Sequence, residues 1–256
     1  MPLSQLLHAT VTFLSEYFLE LLFATALPLI ISYILIWTAL GRFINDFNIV
    51  QSWEQLVQLF SLANPSSIFV IAVLVVVGVV NILGLIAGPL VALHHKSITV
   101  RTIFPQALPY FGSYVLLSII IGLAGIIVVL ISHIVIAIII TAVGIYQIDW
   151  INPVQNSLVT ILPTAGLVGL AFLLTFAPYV LIDQQRGAWQ AFTTSIELVL
   201  HHFWAVLIRL GLVGLSVYML GFVLKFIPLL GYPLALLLGT IILTAYNYIL
   251  YQQLVE

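Results

Sequence analysis

The sequence predicts an all-α membrane protein, a polytopic helical bundle with about six transmembrane helices. Of its 256 residues, 63% are hydrophobic and only 5% are charged, whereas about a quarter of the residues of a soluble domain are charged. Residues 68–93 and 110–148 contain no Asp, Glu, Lys or Arg, and such runs are longer than a soluble core helix needs. Lipid is therefore the expected solvent of the exterior, and residues 1–256 are predicted to form a single transmembrane domain.

Six apolar segments follow one another, separated by clusters of polar residues, glycine and proline. They cover about 17–40, 68–93, 114–146, 158–182, 203–227 and 234–250. The third would be about 50 Å long as a helix, well over the roughly 30 Å hydrocarbon core. It is expected to tilt, to kink near Gly122 and Gly125, or to project from the bilayer. The N-terminus lacks the basic residues of a cleaved signal peptide, so the first span is expected to be retained.

Three further segments have the residue spacing of an amphipathic helix that lies at the membrane surface. The first covers 43–67. The other two follow the second and fourth spans, and we call them the first elbow (residues 94–111) and the second elbow (residues 183–204). Their apolar stripes recur at helical spacing and consist of Val100, Ile103, Phe104, Ala107, Leu108 and Phe111, and of Trp189, Phe192, Ile196, Val199 and Leu200.

The two elbows belong to stretches that resemble each other, which predicts an internal repeat. Each stretch has a proline near the end of a span, Pro89 or Pro178, then a polar break, an amphipathic helix and a new span. The repeat units would be 68–146 and 158–227, and they would be parallel because an even number of spans separates them. The alternative stays open that any two hairpins joined by interfacial helices share this pattern.

The second stretch, from Pro178 to Leu198 and on to His202-Phe203-Trp204, resembles the YciC-like bacterial membrane proteins. It is also similar to the membrane domain attached to some glycerophosphodiester phosphodiesterases. Their shared pattern is a span that ends at a proline, an acidic residue, a glycine, an alanine, a serine and an aromatic pair. The residues that fill these positions here, after Pro178, are Asp183, Gly187, Ala191, Ser195, Phe203 and Trp204. The resemblance implies a polytopic plasma-membrane protein without an established activity.

The residues of this pattern also have a structural interpretation of their own. Gly187 tolerates a positive φ, so it is expected to end one helix or begin the next. Ala191 and Ser195 lie four residues apart on one helical face, which permits close packing against a span. The family often has basic residues just before the serine, where this chain has Thr193 and Thr194. That difference argues against binding of anionic headgroups at this elbow.

Polar residues near the bilayer midplane are the sharpest candidates for function, because lipid cannot satisfy their hydrogen bonds. The candidate cluster consists of Asn81, His133, Ser32 and Ser216. If these residues converge, they would line a cavity in which His133 relays a proton. The alternative, which we favour, is interhelical hydrogen bonding, because a transport path normally contains more than one ionisable group.

The sequence gives little support for catalysis, a metal or a cofactor. It contains no cysteine and no hydrolase, zinc-protease, phosphate-loop or dinucleotide motif. No interior of a predicted span holds an acid. Two histidine pairs, His94-His95 and His201-His202, lack the spacing of a known metal site. The net charge of −2 argues against a nucleic-acid partner.

These observations leave two main hypotheses for function. The first is a non-enzymatic scaffold or organiser of membrane components, whose partners would be the bilayer, other membrane proteins or a second copy of the chain. The alternative is a transporter of a small solute or lipid through the midplane cavity. A more remote third is an interfacial lipid enzyme, which would need two titratable groups within hydrogen-bond reach in a cleft at headgroup level.

The cationic residues predict the orientation of the chain. Six spans place Lys96, Arg101, Arg186 and Arg209 on the side of both termini, with Arg42 and Lys225 opposite. The excess of basic residues marks the cytoplasmic side. The sequence therefore predicts a multi-pass protein of the plasma (inner) membrane with cytoplasmic termini.

Overall fold

A computed structural model describes residues 2–47, 65–94, 98–143, 152–227 and 231–255. Within these ranges the regular structure is entirely helical. Six helical segments are long and apolar enough to cross a membrane: Leu3–Ile36, Ala72–His94, Ile103–Thr141, Ser157–Asp183, Phe203–Leu224 and Pro233–Val255. The predicted all-α polytopic fold is thereby confirmed, and the chain is a multi-pass integral membrane protein. Most of the predicted interfacial helix over 43–67 lies outside the described residues.

The helices follow the six predicted spans, and the elbows add short helices between them. In chain order they are α1 (Leu3–Phe47), α2 (Pro65–His94), α3 (Ile103–Ala107), a 3-10 turn (Leu108–Tyr110), α4 (Phe111–Val143), α5 (Asn152–Leu173), α6 (Ala177–Asp183), α7 (Ala188–His201), α8 (Phe203–Leu224) and α9 (Gly231–Val255). Helix α4 has 33 residues and runs through Gly122 and Gly125 as one helix. The expected long third span is therefore present as a single element.

Helix α1 begins much earlier than the sequence predicts. It starts at Leu3 rather than near residue 17, and Tyr17, with φ −118° and ψ 19°, kinks it where the predicted span begins. Leu6, Phe13 and Leu21 are buried on one face, at helical spacing across the kink. Hydropathy found only the most apolar part of this helix, because polar residues are frequent in its first turns.

The described residues form two compact units. The first combines residues 1–111 with 212–250. Here α1 packs against α2, and a Cβ added to Gly84 would lie 2.7 Å from the Pro28 side chain. A Cβ on Gly88 would lie 3.3 Å from Thr244 of α9. The small-residue motif Gly84-xxx-Gly88 thus serves packing within the chain, since only a missing side chain permits so close an approach.

The same unit brings the two ends of the chain together. The rings of Phe13, near the start of α1, and Tyr248, near the end of α9, lie 5.1 Å apart. An even number of spans places both termini on the same side of a membrane, so this contact agrees with the six-span topology.

The second unit combines residues 112–211 with 251–256. In it α7 packs against α5 and α6, and a Cβ on Gly166 of α5 would lie 2.6 Å from the Val128 side chain of α4. The limits of both units fall inside helices, so they differ from the repeat units 68–146 and 158–227. That repeat describes a likeness of sequence, and it stays a prediction.

Candidate functional site

The fourth span breaks ahead of the second elbow, and a proline explains the break. Pro178 has no N–H, so the Leu174 carbonyl loses its regular helical donor. The Ala177 N–H bonds Leu174 O at 3.1 Å instead. That shift removes the regular donor of the carbonyl of Leu173, the last residue of α5. A buried carbonyl without a partner would be costly.

Ser195 supplies the missing donor. Its hydroxyl, on α7, donates to the Leu173 carbonyl oxygen at 2.9 Å, and Ser195 is completely buried. Two residues of the sequence pattern, the proline and the serine, therefore have one shared structural role. The proline frees a backbone carbonyl and the serine satisfies it.

Small residues let α7 come close enough for this bond. Its buried face consists of Ala188, Ala191, Ser195 and Val199, which confirms close packing through Ala191 and Ser195. The large apolar residues lie elsewhere: Trp189 is 63% exposed, and Trp204, just after α7, is 71% exposed. Of the predicted stripe, Trp189 and Leu200 are thus exposed and Phe192 and Ile196 are half-buried, whereas Val199 lies on the buried face. The exposed aromatic rings suit a headgroup boundary. Phe203 is also exposed, and its ring packs edge-on against Phe172 at 5.9 Å.

Asp183 belongs to a hydrogen-bonded cluster with the end of α9. The buried Tyr251 hydroxyl donates to Asp183 Oδ2 at 2.9 Å and accepts from Gln184 Nε2 at 3.3 Å. The Tyr251 ring stacks on Tyr179, with ring centres 5.8 Å apart. These contacts join the C-terminal residues to the second elbow, so both lie at one end of this unit.

Gly187 begins α7, which is one of its two expected roles, but it does so without a positive φ. It caps the start of α7 in an extended conformation, with φ −63° and ψ 158°, and a Cβ there would meet nothing within 4 Å. The positive φ belongs to Gln185, at 49°. Arg186 lies between them and donates to the Thr194 hydroxyl at 2.9 Å. The turn therefore uses a left-handed residue two positions before the glycine.

The candidate midplane residues divide into one pair and two separate side chains. Asn81 Nδ2 donates to Ser32 Oγ at 2.9 Å and to its own helix at Val77 O, so these two predicted residues are joined between α1 and α2. His133 is exposed, and its Nδ1 lies 2.8 Å from Val129 O. Ser216 is exposed and donates to Leu212 O at 2.9 Å. Each of these two bonds lies within the residue's own helix, so neither joins two helices.

Several polar residues of the spans were not predicted from the sequence. Glu20 already lies in the predicted span 17–40, and the early start of α1 places Glu16 in the Leu3–Ile36 segment as well, so the inference that no span holds an acid is wrong. Asn247 of α9 has a buried Oδ1 without a partner among the described residues. Tyr251 was missed because the sixth span was predicted to end at residue 250. The sequence signal that could have revealed Asn247 and Tyr251 was the mean hydropathy of the sixth span, 1.7, the lowest of the six.

The described residues contain no group of three or more His, Cys, Asp and Glu side chains that could hold a metal ion. His201 and His202 pack edge-on, with ring centres 4.8 Å apart, whereas His95 lies outside the described residues. The hydrogen bonds of the second elbow satisfy backbone and side-chain polar groups at a helix break.

Compared with protein-family models, curated proteins and solved structures, the chain matches none. The class that the fold and the site define is a multi-pass integral membrane protein with a hydrogen-bonded elbow between its fourth and fifth spans.

Proposed function

We propose that the protein is a non-enzymatic scaffold that binds a transmembrane helix of another membrane component. The observation that carries this proposal is an apolar groove of about 510 Å³ between α4 and α5. It lies near the middle of the third span, and every residue that lines it is apolar: Ile121, Gly122, Gly125, Ile126, Val129, Leu130, Leu167, Leu170 and Ala171.

Two glycines give this groove the character of a helix-packing surface. A Cβ on Gly122 would meet nothing within 4 Å, and one on Gly125 would meet only Leu167, at 3.5 Å. Helices in lipid associate through close packing at small residues rather than through a hydrophobic driving force. The third span is also thinly covered, because only 17% of its most apolar window is buried; among the six spans only the fifth, at 11%, has less. A foreign helix would therefore find an open, glycine-lined face.

The polar residues favour a scaffold over a transporter. Asn81 and Ser32 are used in a bond between helices, and His133 bonds its own backbone on an exposed face. A solute path needs polar groups that converge on a cavity. The groove between α4 and α5 offers none, because its lining is apolar.

The contact between Asp183 and Tyr251 bears on the enzyme hypothesis. The two groups lie 2.9 Å apart, which meets the distance that an acid–base pair needs. The Tyr251 side chain is only 1% exposed, so a substrate could not reach it. The bond therefore favours a structural role for Asp183.

We further propose that the chain is related to the YciC-like proteins and lies in a bacterial plasma membrane with cytoplasmic termini. The joint role of Pro178 and Ser195 supports the relationship, since it gives two separated motif residues a common structural reason. The orientation is supported by the excess of basic residues on the side of the termini.

A photo-cross-linking experiment in native membranes tests the scaffold. Ile126 is 57% exposed on the groove, and benzoylphenylalanine at this position should capture a distinct membrane protein. Gly122→Leu fills the groove and should lower the yield about tenfold, as a loss of about 1.4 kcal/mol of helix packing would. Gly112→Leu is the matched control on the same helix, because its Cβ also meets nothing within 4 Å. It should leave the yield unchanged.

Three results would contradict the scaffold. Cross-links to lipid alone would mean that no helix occupies the groove, and cross-links only to a second copy would indicate a homo-oligomer. The third is a pH-dependent solute flux in proteoliposomes that His133→Asn abolishes at a normal protein level. This flux would favour the transporter.

A further inference from the structure

A second groove lies at the end of α8, in the unit formed by residues 1–111 and 212–250. It has a volume of about 360 Å³ and opens between α8 and the first turns of α9. It is lined by Val217, Gly221, Phe222, Ala235 and Leu236. Tyr218 and Lys225 complete the lining. Unlike the groove between α4 and α5, this one carries a full positive charge.

Aromatic rings hold that charge in place. The Lys225 ammonium lies 3.8 Å from the centre of the Phe222 ring and 5.3 Å from that of Phe226. A cation over an aromatic face is attracted by the ring quadrupole, which restricts an otherwise flexible lysine. Among the described residues, no carboxylate forms an ion pair with Lys225. The ammonium is therefore positioned but not neutralised by the part of the chain that the structure describes.

The depth of the groove fits one leaflet of a bilayer. The fifth span ends at Leu224, so Lys225 lies where the hydrocarbon core gives way to headgroups. Val217 lies about 12 Å deeper along the helix, most of the roughly 15 Å that half of the hydrocarbon core measures. The groove is thus cationic at its mouth and apolar along its length.

We propose that this groove is a binding site for one anionic phospholipid. The headgroup phosphate would accept hydrogen bonds from the Lys225 ammonium, and an acyl chain would lie along Phe222 towards Val217. The charge argues for this occupant, because a polar anion gains nothing from the apolar walls and an apolar helix leaves the ammonium without a partner. Basic residues at a membrane surface attract anionic lipids in the same way.

Native mass spectrometry of the full chain tests this site. The purified protein is mixed in detergent with equal amounts of phosphatidylglycerol and phosphatidylcholine that carry the same acyl chains. One lipid per chain should be retained, with a preference of about fivefold for phosphatidylglycerol, as one lysine at an anionic surface gives. Lys225→Gln should abolish the preference. Arg101→Gln, which removes another exposed cation next to a span, should keep it.

A second variant tests the apolar part of the groove. Gly221→Leu places its Cβ in ordinary contact with Ala235, at 3.8 Å, and its remaining atoms fill the groove. The variant should fold, because leucine is a better helix former than glycine, but it should lose the retained lipid although Lys225 is intact. Inorganic phosphate in millimolar excess should not displace the lipid.

Each opposite result overturns the proposal. Equal retention of both lipids by the wild type, or a preference that survives Lys225→Gln, would show that the ammonium does not select the lipid. Retention by a folded Gly221→Leu variant would place the lipid outside the groove. Displacement by phosphate would mean that only a small anion binds. None of these results depends on the scaffold, whose groove lies between α4 and α5.

Discussion

The first and second elbows carry the chain from one membrane span into the next, but different interactions stabilise them. In the second, α7 is a helix of 14 residues. In the first, α3 has five residues and continues as a 3-10 turn. The sequence makes the two look alike, with a proline, a polar break and an apolar stripe in each. In the structure, the two elbows differ in the positions of their prolines and in the chemistry of their buried faces.

Prolines explain the different helix lengths. Pro105 and Pro109 lie four residues apart in the first elbow, so the Pro105 carbonyl has no helical donor and the chain tightens after α3. Helix α7 contains no proline. The prolines that end the preceding spans differ as well. Pro89 is accommodated inside α2, which continues to His94, whereas Pro178 follows a break and opens the separate helix α6.

The buried faces differ in chemistry. The first elbow buries the apolar side chains of Ile98, Ile103 and Ala107. The second buries small residues together with the Ser195 hydroxyl, which bonds Leu173 O. A shared sequence pattern therefore predicts the route of the chain but not the interactions that stabilise it. The following predictions test that difference.

The largest effect is expected in the first elbow, for Ile103→Ala. Ile103 is completely buried, and its truncation should lower the free energy of unfolding by about 2 to 3 kcal/mol through lost packing and the cavity left behind. Reversible unfolding in mixed micelles measures this change. Val100→Ala is the matched control from the same predicted stripe, because Val100 is 38% exposed, and it should change the free energy by less than about 0.5 kcal/mol. Equal losses for both variants would contradict an apolar core in this elbow.

A smaller effect, specific to the second elbow, is expected for Ser195→Ala. Removal of the hydroxyl leaves the part-buried Leu173 carbonyl without its donor, which should cost about 1 to 2 kcal/mol. Thr193→Ala is the control, because the Thr193 hydroxyl bonds only carbonyls of its own helix. It should have little effect.

A double-mutant cycle tests the mechanism behind that cost. Pro178→Ala restores a backbone N–H and lets the Ala177 N–H return to the Leu173 carbonyl. Ser195→Ala should then cost less than half of what it costs beside Pro178. Additive losses would mean that the proline and the serine act independently, and the proposed link between these two motif residues would be lost.

The membrane fold could be predicted from sequence because its signals are strong and local. Long apolar runs located six spans, and the serine and alanine spacing in 191–195 predicted the packing face of α7. The start of α1 could not be found in this way, because polar residues are frequent in its first turns. The apolar stripe of Leu6, Phe13 and Leu21 can be recognised as a packing face only when the helix that covers it is known.

The candidate site was only partly predictable, because hydrogen bonds between distant residues leave no local signal. Asn81 and Ser32 could be nominated by depth, but nothing in the sequence joins them. The partner of Asp183 is Tyr251, 68 positions away, beyond the predicted end of the sixth span. The outward direction of His133 depends on which face of α4 is covered. Each of these features is set by tertiary packing.

The smallest effect is expected for Gly187→Ala, and it tests why a glycine occupies this position. Gly187 has an extended backbone and open space around its α-carbon. Alanine is a poorer N-cap than glycine, but it also reduces the freedom of the unfolded chain, and these effects oppose each other. The free energy of unfolding should therefore change by less than about 0.5 kcal/mol.

Gln185→Gly is the informative companion of that variant, since Gln185 has the positive φ in this turn. A left-handed conformation costs a non-glycine residue about 1 to 2 kcal/mol, whereas glycine adds freedom to the unfolded chain. Gln185→Gly should therefore stabilise the turn by up to roughly 1 kcal/mol. Both variants are compared with the wild type in the same micelles. If Gly187→Ala were the costly change and Gln185→Gly were neutral, the left-handed residue of the second elbow would be Gly187. The extended cap at the start of α7 would then be incorrect.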